Sequence, residues 1–303
     1  METTKTDILS VGLIVCDIIV RGADVNLFSV DSQYCEPVVL ACGGDAFNVA
    51  YNASKLGAKT ALAGARGRDP WGDFLSEQAS GAGIDINCIK ISETLGTANC
   101  VVMVERSGAR HFAYYPGTND LLSADYVDIA AIDKCSILHI GGALALPSLD
   151  GDGMASLLGR AKSMGKTVTV DVTYSPDGNW YGKLKDCFPY IDIFMPSIGE
   201  ASMICGSSDP YACVNFLLGK GVGNVIVKMG ADGCIAADAS QNRHFPAAPA
   251  NVVDTTGAGD CFNAGFLAAY AGNRDFYGSV ANGMAAAKIC VENIGATGFE
   301  FIL

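Results

Sequence analysis

Asp254-Thr-Thr-Gly-Ala-Gly-Asp-Cys-Phe-Asn-Ala-Gly265 is the stretch on which the reading of this 303-residue chain turns. Small residues run straight into a helical period, so free backbone N–H groups and the positive end of a helix dipole meet at one point. Gly257 and Gly259 let the backbone come close to an anion and adopt conformations closed to other residues. Asp260 stands at the mouth of that hole, where a carboxylate is electrostatically costly unless it has a task. Taking the proton from an attacking hydroxyl is such a task, and general-base assistance is typically worth about 10²–10⁴ in rate. The plainer alternative is that Asp260 only caps the helix, which Asp does well.

Along nearly the whole chain, short β-rich runs alternate with helix-period segments. Strands are expected at Asp7–Gly12, Thr60–Gly64, Ile137–Gly141, Thr167–Val172, Ile191–Met195 and Asn224–Lys228, with a hairpin through Cys234–Ala237. Helices are expected at Gly44–Leu56, Asp69–Ala79, Met154–Ser163, Gly199–Cys205, Gly259–Ala271 and Phe276–Asn293. Such alternation predicts an α/β fold, a doubly wound and mostly parallel sheet flanked by helices. Two stretches break the rhythm. Ile14–Cys42 holds strand-like Ile18–Val20 and Pro37–Leu40, and Thr97–Tyr115 alternates about a turn at Arg106-Ser-Gly-Ala109. We expect a small β-sheet lid from 13–42 and 97–116, standing on an α/β domain of 1–12, 43–96 and 117–303. A second glycine motif, Cys42-Gly-Gly-Asp-Ala-Phe-Asn-Val-Ala50, precedes the first helix, and Gly43, Gly44 and Asn48 there suit close contact with a polyol's hydroxyls.

Composition narrows the partners. Lys and Arg number 20 against 32 Asp and Glu, a net charge of −12, which argues against nucleic acid or anionic membrane as a partner. Val11–Val20, interrupted by Asp17, falls far short of the roughly 20 apolar residues of a membrane span. Met1–Asp7 lacks the basic start and hydrophobic stretch of a signal peptide. Twelve cysteines include no Cys-x-x-Cys pair, and His111, His139 and His244 are far apart in sequence. Reduced core thiols in a cytoplasmic protein are therefore expected, rather than disulfides or a metal cluster.

The two glycine motifs, with Asp17 and the interposed β-insertions, resemble the ribokinase-like (PfkB) family of carbohydrate kinases over essentially the whole chain. Gly67-Arg-Asp-Pro-Trp-Gly72, Pro116-Gly-Thr-Asn119 and Lys228-Met-Gly-Ala-Asp-Gly233 are further matches. The resemblance implies transfer of the γ-phosphoryl of Mg-ATP to a hydroxyl of a sugar or related polyol. Asp260 is then the base, with the N–H groups of Gly257, Ala258 and Gly259 around the phosphoryl oxygens. Asp17, Gly43, Gly44 and Asn48 fall at family sugar contacts. Lys228, Gly230, Gly233, Asn282 and the Asn293–Gly298 loop fall at the nucleotide site. Asp254 and Thr256 match a monovalent-cation site, for K⁺, that some members have. Glu200 matches a carboxylate that reaches Mg²⁺ through water.

Departures are equally definite. The family's Asn-x-x-Glu is Ser197-Ile-Gly-Glu200 here, and the Asp-x-Asn-x-Arg of many relatives is Asp171-Val-Thr-Tyr-Ser175, so a bidentate Arg is lost. An acidic sugar contact of ribokinase proper is missing near Gly141-Gly142, which weakens a plain ribokinase assignment. Gly159-Arg-Ala-Lys-Ser-Met-Gly-Lys-Thr167 is off the P-loop spacing and lies between helix and strand in the wrong order. Phe28, Tyr34, Phe112, Tyr114 and Tyr115 suit a half-buried lid sheet or a base platform. Arg106, Arg110 and His111 on the hairpin are expected to be solvated unless the acceptor is anionic, and Tyr126–Asp133 is expected on the surface. A nucleoside kinase is the alternative enzyme. A non-catalytic sugar binder is the third choice, suggested by Ser175 and Ser197 and opposed by Asp260. Exposed lid edges leave room for a homodimer.

Overall fold

In the computed structural model, residues 5–301 are described except Val25, Gly108 and Pro176. The chain runs β1 (Thr6–Gly12), β2 (Val15–Ala23), β3 (Val39–Gly43), α1 (Asp45–Lys55), β4 (Thr60–Gly67), α2 (Pro70–Gly81) and β5 (Ile89–Ser92). The hairpin β6 (Asn99–Glu105) and β7 (Arg110–Tyr115) follows, then α3 (Ile129–Lys134), β8 (Cys135–Ala143), α4 (Asp152–Ser163), β9 (Thr167–Val172), α5 (Trp180–Leu184) and β10 (Ile193–Phe194). The last third holds α6 (Ile198–Cys205), α7 (Pro210–Gly219), β11 (Asn224–Lys228), β12 (Cys234–Ala237), β13 (Asn242–Phe245), α8 (Ala258–Asn273) and α9 (Phe276–Val291).

Nine strands form one sheet in the order β13-β12-β11-β10-β9-β8-β1-β4-β5, parallel except where β12 and β13 turn back at one edge. Parallel strands buried on both faces need apolar residues in succession. Ile8 of β1 therefore packs into one layer and Leu9 and Val11 into the other, as do Ile226 against Val225 and Val227 of β11. Helices α3 to α7 cover the face of Leu9, while α1, α8 and α9 cover the face of Ile8. The expected doubly wound architecture is present.

A separate four-stranded sheet has the order β3-β2-β6-β7. Its β2–β3 and β6–β7 pairs are antiparallel and its central β2–β6 pair is parallel. Register fixes its two faces, because residues side by side across a sheet share a side. Asp17 pairs with Cys100 and Cys100 with Tyr114, while Val104 pairs with Arg110, so Asp17, Tyr114 and Arg110 lie on one face. The turn expected at 106–109 joins β6 to β7, although Gly108 lies outside the described residues.

Several details differ from expectation. Tyr126–Asp133 is not simply solvated: it contains most of α3, and Val127 and Ile132 are buried. Helix α7, capped by Asp209 with Pro210 in its first turn, was not anticipated. Phe28, Tyr34 and Phe112 are exposed rather than half-buried, at 87%, 95% and 63%. All twelve cysteines are free, as expected of core thiols, and only Cys35 is exposed. No helix of the described residues is long and apolar enough to cross a membrane.

Candidate active site

Helix α8 begins abruptly. Gly257 precedes it in a left-handed conformation (φ 72°), and a Cβ there would lie 2.2 Å from the Cβ of Ala296. No side chain caps the helix, so its first N–H groups lack a side-chain acceptor, and Gly257, Ala258 and Gly259 line a pocket. Of the three amides expected to line the hole, that of Ala258 also leans toward the Thr255 carbonyl, at 3.3 Å. Asp260, in the first turn, does not serve as the cap. Its Oδ2 accepts a hydrogen bond from Nδ2 of Asn48 at 2.8 Å.

Asn48 reaches Asp260 because Gly43 and Gly44 shape the start of α1. Gly44 has φ 90°, and a Cβ on it would meet the Leu13 carbonyl oxygen at 2.5 Å. A Cβ on Gly43 would lie 2.4 Å from Oδ2 of Asp17, so only glycine admits that carboxylate beside α1. Burial pushes the Asp17 carboxyl up to about 6, and no hydrogen bond from the described residues reaches it. Asp17, Gly43, Gly44, Asn48 and Asp260 are thus one contiguous patch. Asn52, one turn beyond Asn48, donates to the Ala296 carbonyl at 2.9 Å and ties α1 to the 293–298 loop.

On the other side of Asp260 a pocket of about 770 Å³ opens. Its polar lining includes Asp45, Asp171, Glu200, Lys228 and Asp260, and its apolar lining comes from 247–250, Val252 and from Met284, Ala287 and Val291 of α9. Lys228, at the end of β11, donates to Oδ2 of Asp171 at 2.8 Å and lies 3.4 Å from Oδ1 of Asn263. Its Nζ is 3.2 Å from where a Cβ on Gly259 would stand, which sets the ammonium beneath the first turn of α8. Gly230 and Gly233 form the turn after β11 and also line the pocket. Gly233 has φ 86°, and a Cβ there would overlap the Phe245 carbonyl oxygen at 1.9 Å.

Four carboxylates thus share one neighbourhood with the Lys228 ammonium, and their ionisation shows it. Burial raises Asp260 to about 7; the Asn48 hydrogen bond opposes this, and the charge of Asp171 adds to it. Burial and the charge of Asp260 push Asp45 well above the usual carboxylate range, and burial with Asp171 raises Glu200. Burial would lower the Lys228 ammonium, but Asp171 and Glu200 outweigh it and raise its pKa. Four carboxylates against the two lysines of the lining, Lys228 and Lys288, leave an excess of negative charge that fits a site receiving a divalent cation together with polyphosphate. Among the described residues, no three His, Cys, Asp or Glu are grouped as a metal cage, so phosphate and water would complete the shell. Ser197, standing where the family has an amide, makes a capping box with Glu200: Ser197 N donates to Oε2 of Glu200 at 2.7 Å, and Glu200 N to Oγ of Ser197 at 3.3 Å.

The candidate monovalent-cation ligands are already engaged. Oδ1 of Asp254 accepts from Thr256 N at 2.9 Å and Thr256 Oγ1 at 2.7 Å, and pairs with Nη1 of Arg110 at 2.9 Å. Its Oδ2 accepts from Gly295 N at 3.1 Å. Arg110 also donates to Oγ1 of Thr256. A cation added here would face a guanidinium, so this donor set does not fit one. Arg110 is therefore not a solvated hairpin residue, whereas the His111 side chain, paired with Glu105, is 57% exposed.

Asn282 stands apart from the pocket wall. The α9 stripe that lines the pocket is Met284, Ala287, Lys288 and Val291, the spacing of one helix face. Asn282 lies off that stripe, its carbonyl 2.6 Å from where a Cβ on Gly265 would sit. Asp45 and Asn263, both inside the quoted motifs, received no role from sequence, although acid and amide side chains at the head of a helix are the available signal.

The family model described as pfkB family carbohydrate kinase matches residues 5–300. An uncharacterized sugar kinase of Archaeoglobus fulgidus is 29% identical over 248 residues, 80% of this chain and 95% of that protein. A fructokinase of Klebsiella pneumoniae is 29% identical over 262 residues, 83% of this chain and 85% of that one. Among solved structures, a ribokinase of Thermotoga maritima superposes with a TM-score of 0.83 at 25% identity, covering 96% of this chain and 94% of its own.

Proposed function

The chain belongs to the pfkB family of carbohydrate kinases, a phosphotransferase with an alcohol acceptor, and on that premise we propose that it phosphorylates a sugar or polyol with Asp260 as general base. The observation that carries the proposal is the position of Asp260. Its carboxyl, raised to about 7, is held by Asn48 at the uncapped start of α8, between the Asp17 patch and the pocket. A base with a pKa near the working pH transfers protons most effectively.

In this proposal ATP occupies the pocket, its base against the apolar residues 247–250, Val252 and Met284 and its phosphates toward Lys228 and the amides of Gly257, Ala258 and Gly259. Bound Mg²⁺ would supply neutralisation of phosphate charge, and Glu200 is the residue that would meet it through water. The acceptor lies on Asp17, Gly43, Gly44 and Asn48. Among the described residues Oδ1 of Asn48 is buried without a partner and the Asp17 carboxylate accepts no hydrogen bond, which suits a hydroxyl-rich ligand. Asp260 takes the acceptor's proton as its oxygen bonds to the γ-phosphorus, and the bond from that phosphorus to the β,γ-bridging oxygen breaks to release ADP. The amides and Lys228 stabilise charge on the transferring oxygens.

The small sheet acts as a lid that excludes water, the competing acceptor. Its open edges, β3 and β7, offer a surface to a second copy, and twelve free thiols suit the reducing cytoplasm. One observation favours a nucleoside as the second reading. Val39, Ile19, Val102 and Phe112 pair side by side on the Asp17 face, an apolar row suited to a base. ADP release with Mg-ATP over pentoses, hexoses, sugar acids, sugar phosphates and nucleosides tests the choice. We expect turnover with a sugar or polyol; turnover confined to nucleosides establishes the second reading, and none with any acceptor rejects both.

A further inference from the structure

We propose that Arg110 is a positioning residue for phosphoryl transfer, supplying from the small sheet the positive charge at Asp254 so that no monovalent cation is needed there. The inference rests on the kinase reading for its consequence in turnover, and on geometry for its premise. Arg110 and Thr256 are 146 residues apart, and their contact bridges the small sheet and the loop leading into α8. Strand register places Arg110 on the face of Asp17 and Tyr114, whereas His111, the next residue, points to the other side. The side chains of Arg110 and Asp254 are 31% and 16% exposed, so the pair is screened less than one on open surface.

What the pair holds is the turn before the anion hole. Oδ1 of Asp254 gathers Thr256 N, Thr256 Oγ1 and the guanidinium, and Oδ2 takes Gly295 N. Thr256 adjoins Gly257, whose left-handed turn against Ala296 starts α8. Any shift of Asp254 and Thr256 is therefore passed to the amides that face the phosphoryl group. The guanidinium contacts two acceptors at once, which an ammonium on a flexible stem does less well. Arg110 thereby links the position of the small sheet to the turn that precedes the hole.

Three variants test this: Arg110→Gln, Arg110→Lys, and His111→Gln as the control on the opposite face. Amide hydrogen exchange at 255–260 in the full-length protein reads the positioning without any acceptor. We expect Arg110→Gln to speed exchange there about tenfold and to lower kcat about tenfold, with the KM for ATP nearly unchanged. Arg110→Lys should recover part of both losses, and His111→Gln should match the wild type. Wild-type turnover should be equal in potassium chloride and choline chloride at the same ionic strength. Unchanged exchange and kcat in Arg110→Gln overturn the proposal, as does a several-fold activation of the wild type by potassium. If no acceptor is phosphorylated the kinase reading fails, while the exchange comparison still decides the role of Arg110. Should Arg110→Gln not fold, Arg110→Lys carries the comparison: exchange faster than wild type supports it, and identical exchange overturns it.

Discussion

Gly257 and Asp260 are three residues apart and depend on different physics. Gly257 is fixed by sterics, since its left-handed φ is costly for a side-chain-bearing residue and its missing Cβ leaves the space that Ala296 fills. Gly257→Ala should cost about 1–3 kcal/mol of stability and lower kcat more than it raises the KM for ATP, as chemical denaturation and steady-state kinetics would show. Asp260 is fixed by electrostatics. Both residues were legible in sequence, because Gly-Ala-Gly-Asp before a helix period has few uses. The partnership of Asp260 with Asn48 was not, because hydrogen bonds between residues 212 apart leave no local trace. Arg110 was misjudged for the same reason: on a hairpin read alone, its guanidinium has only solvent to meet.

At the level of elements, the helices that hold the site are started by small devices. Ser197 and Glu200 cap α6 reciprocally, which gives the departure at Ser197 a structural use and ties the position of Glu200 to it. Ser197→Ala should cost about 1 kcal/mol and weaken activation by Mg²⁺, measured as a raised magnesium concentration for half-maximal rate. Most elements were readable from period and caps, including α1, α2, α4 and the central strands. The exceptions have physical causes. Helix α7 is apolar around much of its surface, so Val214, Leu217 and Leu218 give little helical contrast. Helix α3 is only six residues long and buries a single one, Ile132. On α9 the pocket-facing stripe through Met284 and Lys288 is one helix face, and Asn282 falls beside it.

For the molecule as a whole, folding gathers carboxylates from α1, β9, α6 and α8 around Lys228. Their convergence follows from the strand order of the sheet, which no single motif encodes. It also links stability to pH. The folded-state pKa of Asp260 is raised from 3.8 to about 7, so the native protein binds more protons than the unfolded chain between those values. Stability from this group is therefore lost as pH rises from about 4 toward 7. Asp260→Asn removes that dependence, and its melting temperature should exceed the wild type's by more at pH 8 than at pH 5. The same ionisation sets activity: kcat/KM should rise with pH through about 7 as the base loses its proton.

The most direct measurement is turnover of Asp260→Asn at pH 8 with Mg-ATP and the best acceptor found for the wild type, alongside its affinity for ATP. The account predicts kcat lower by about 10²–10⁴ with ATP affinity within about threefold of the wild type. Turnover close to wild type would contradict it, because among the described residues Asp260 is the acidic side chain in the first turn of α8 and the base on which the account rests.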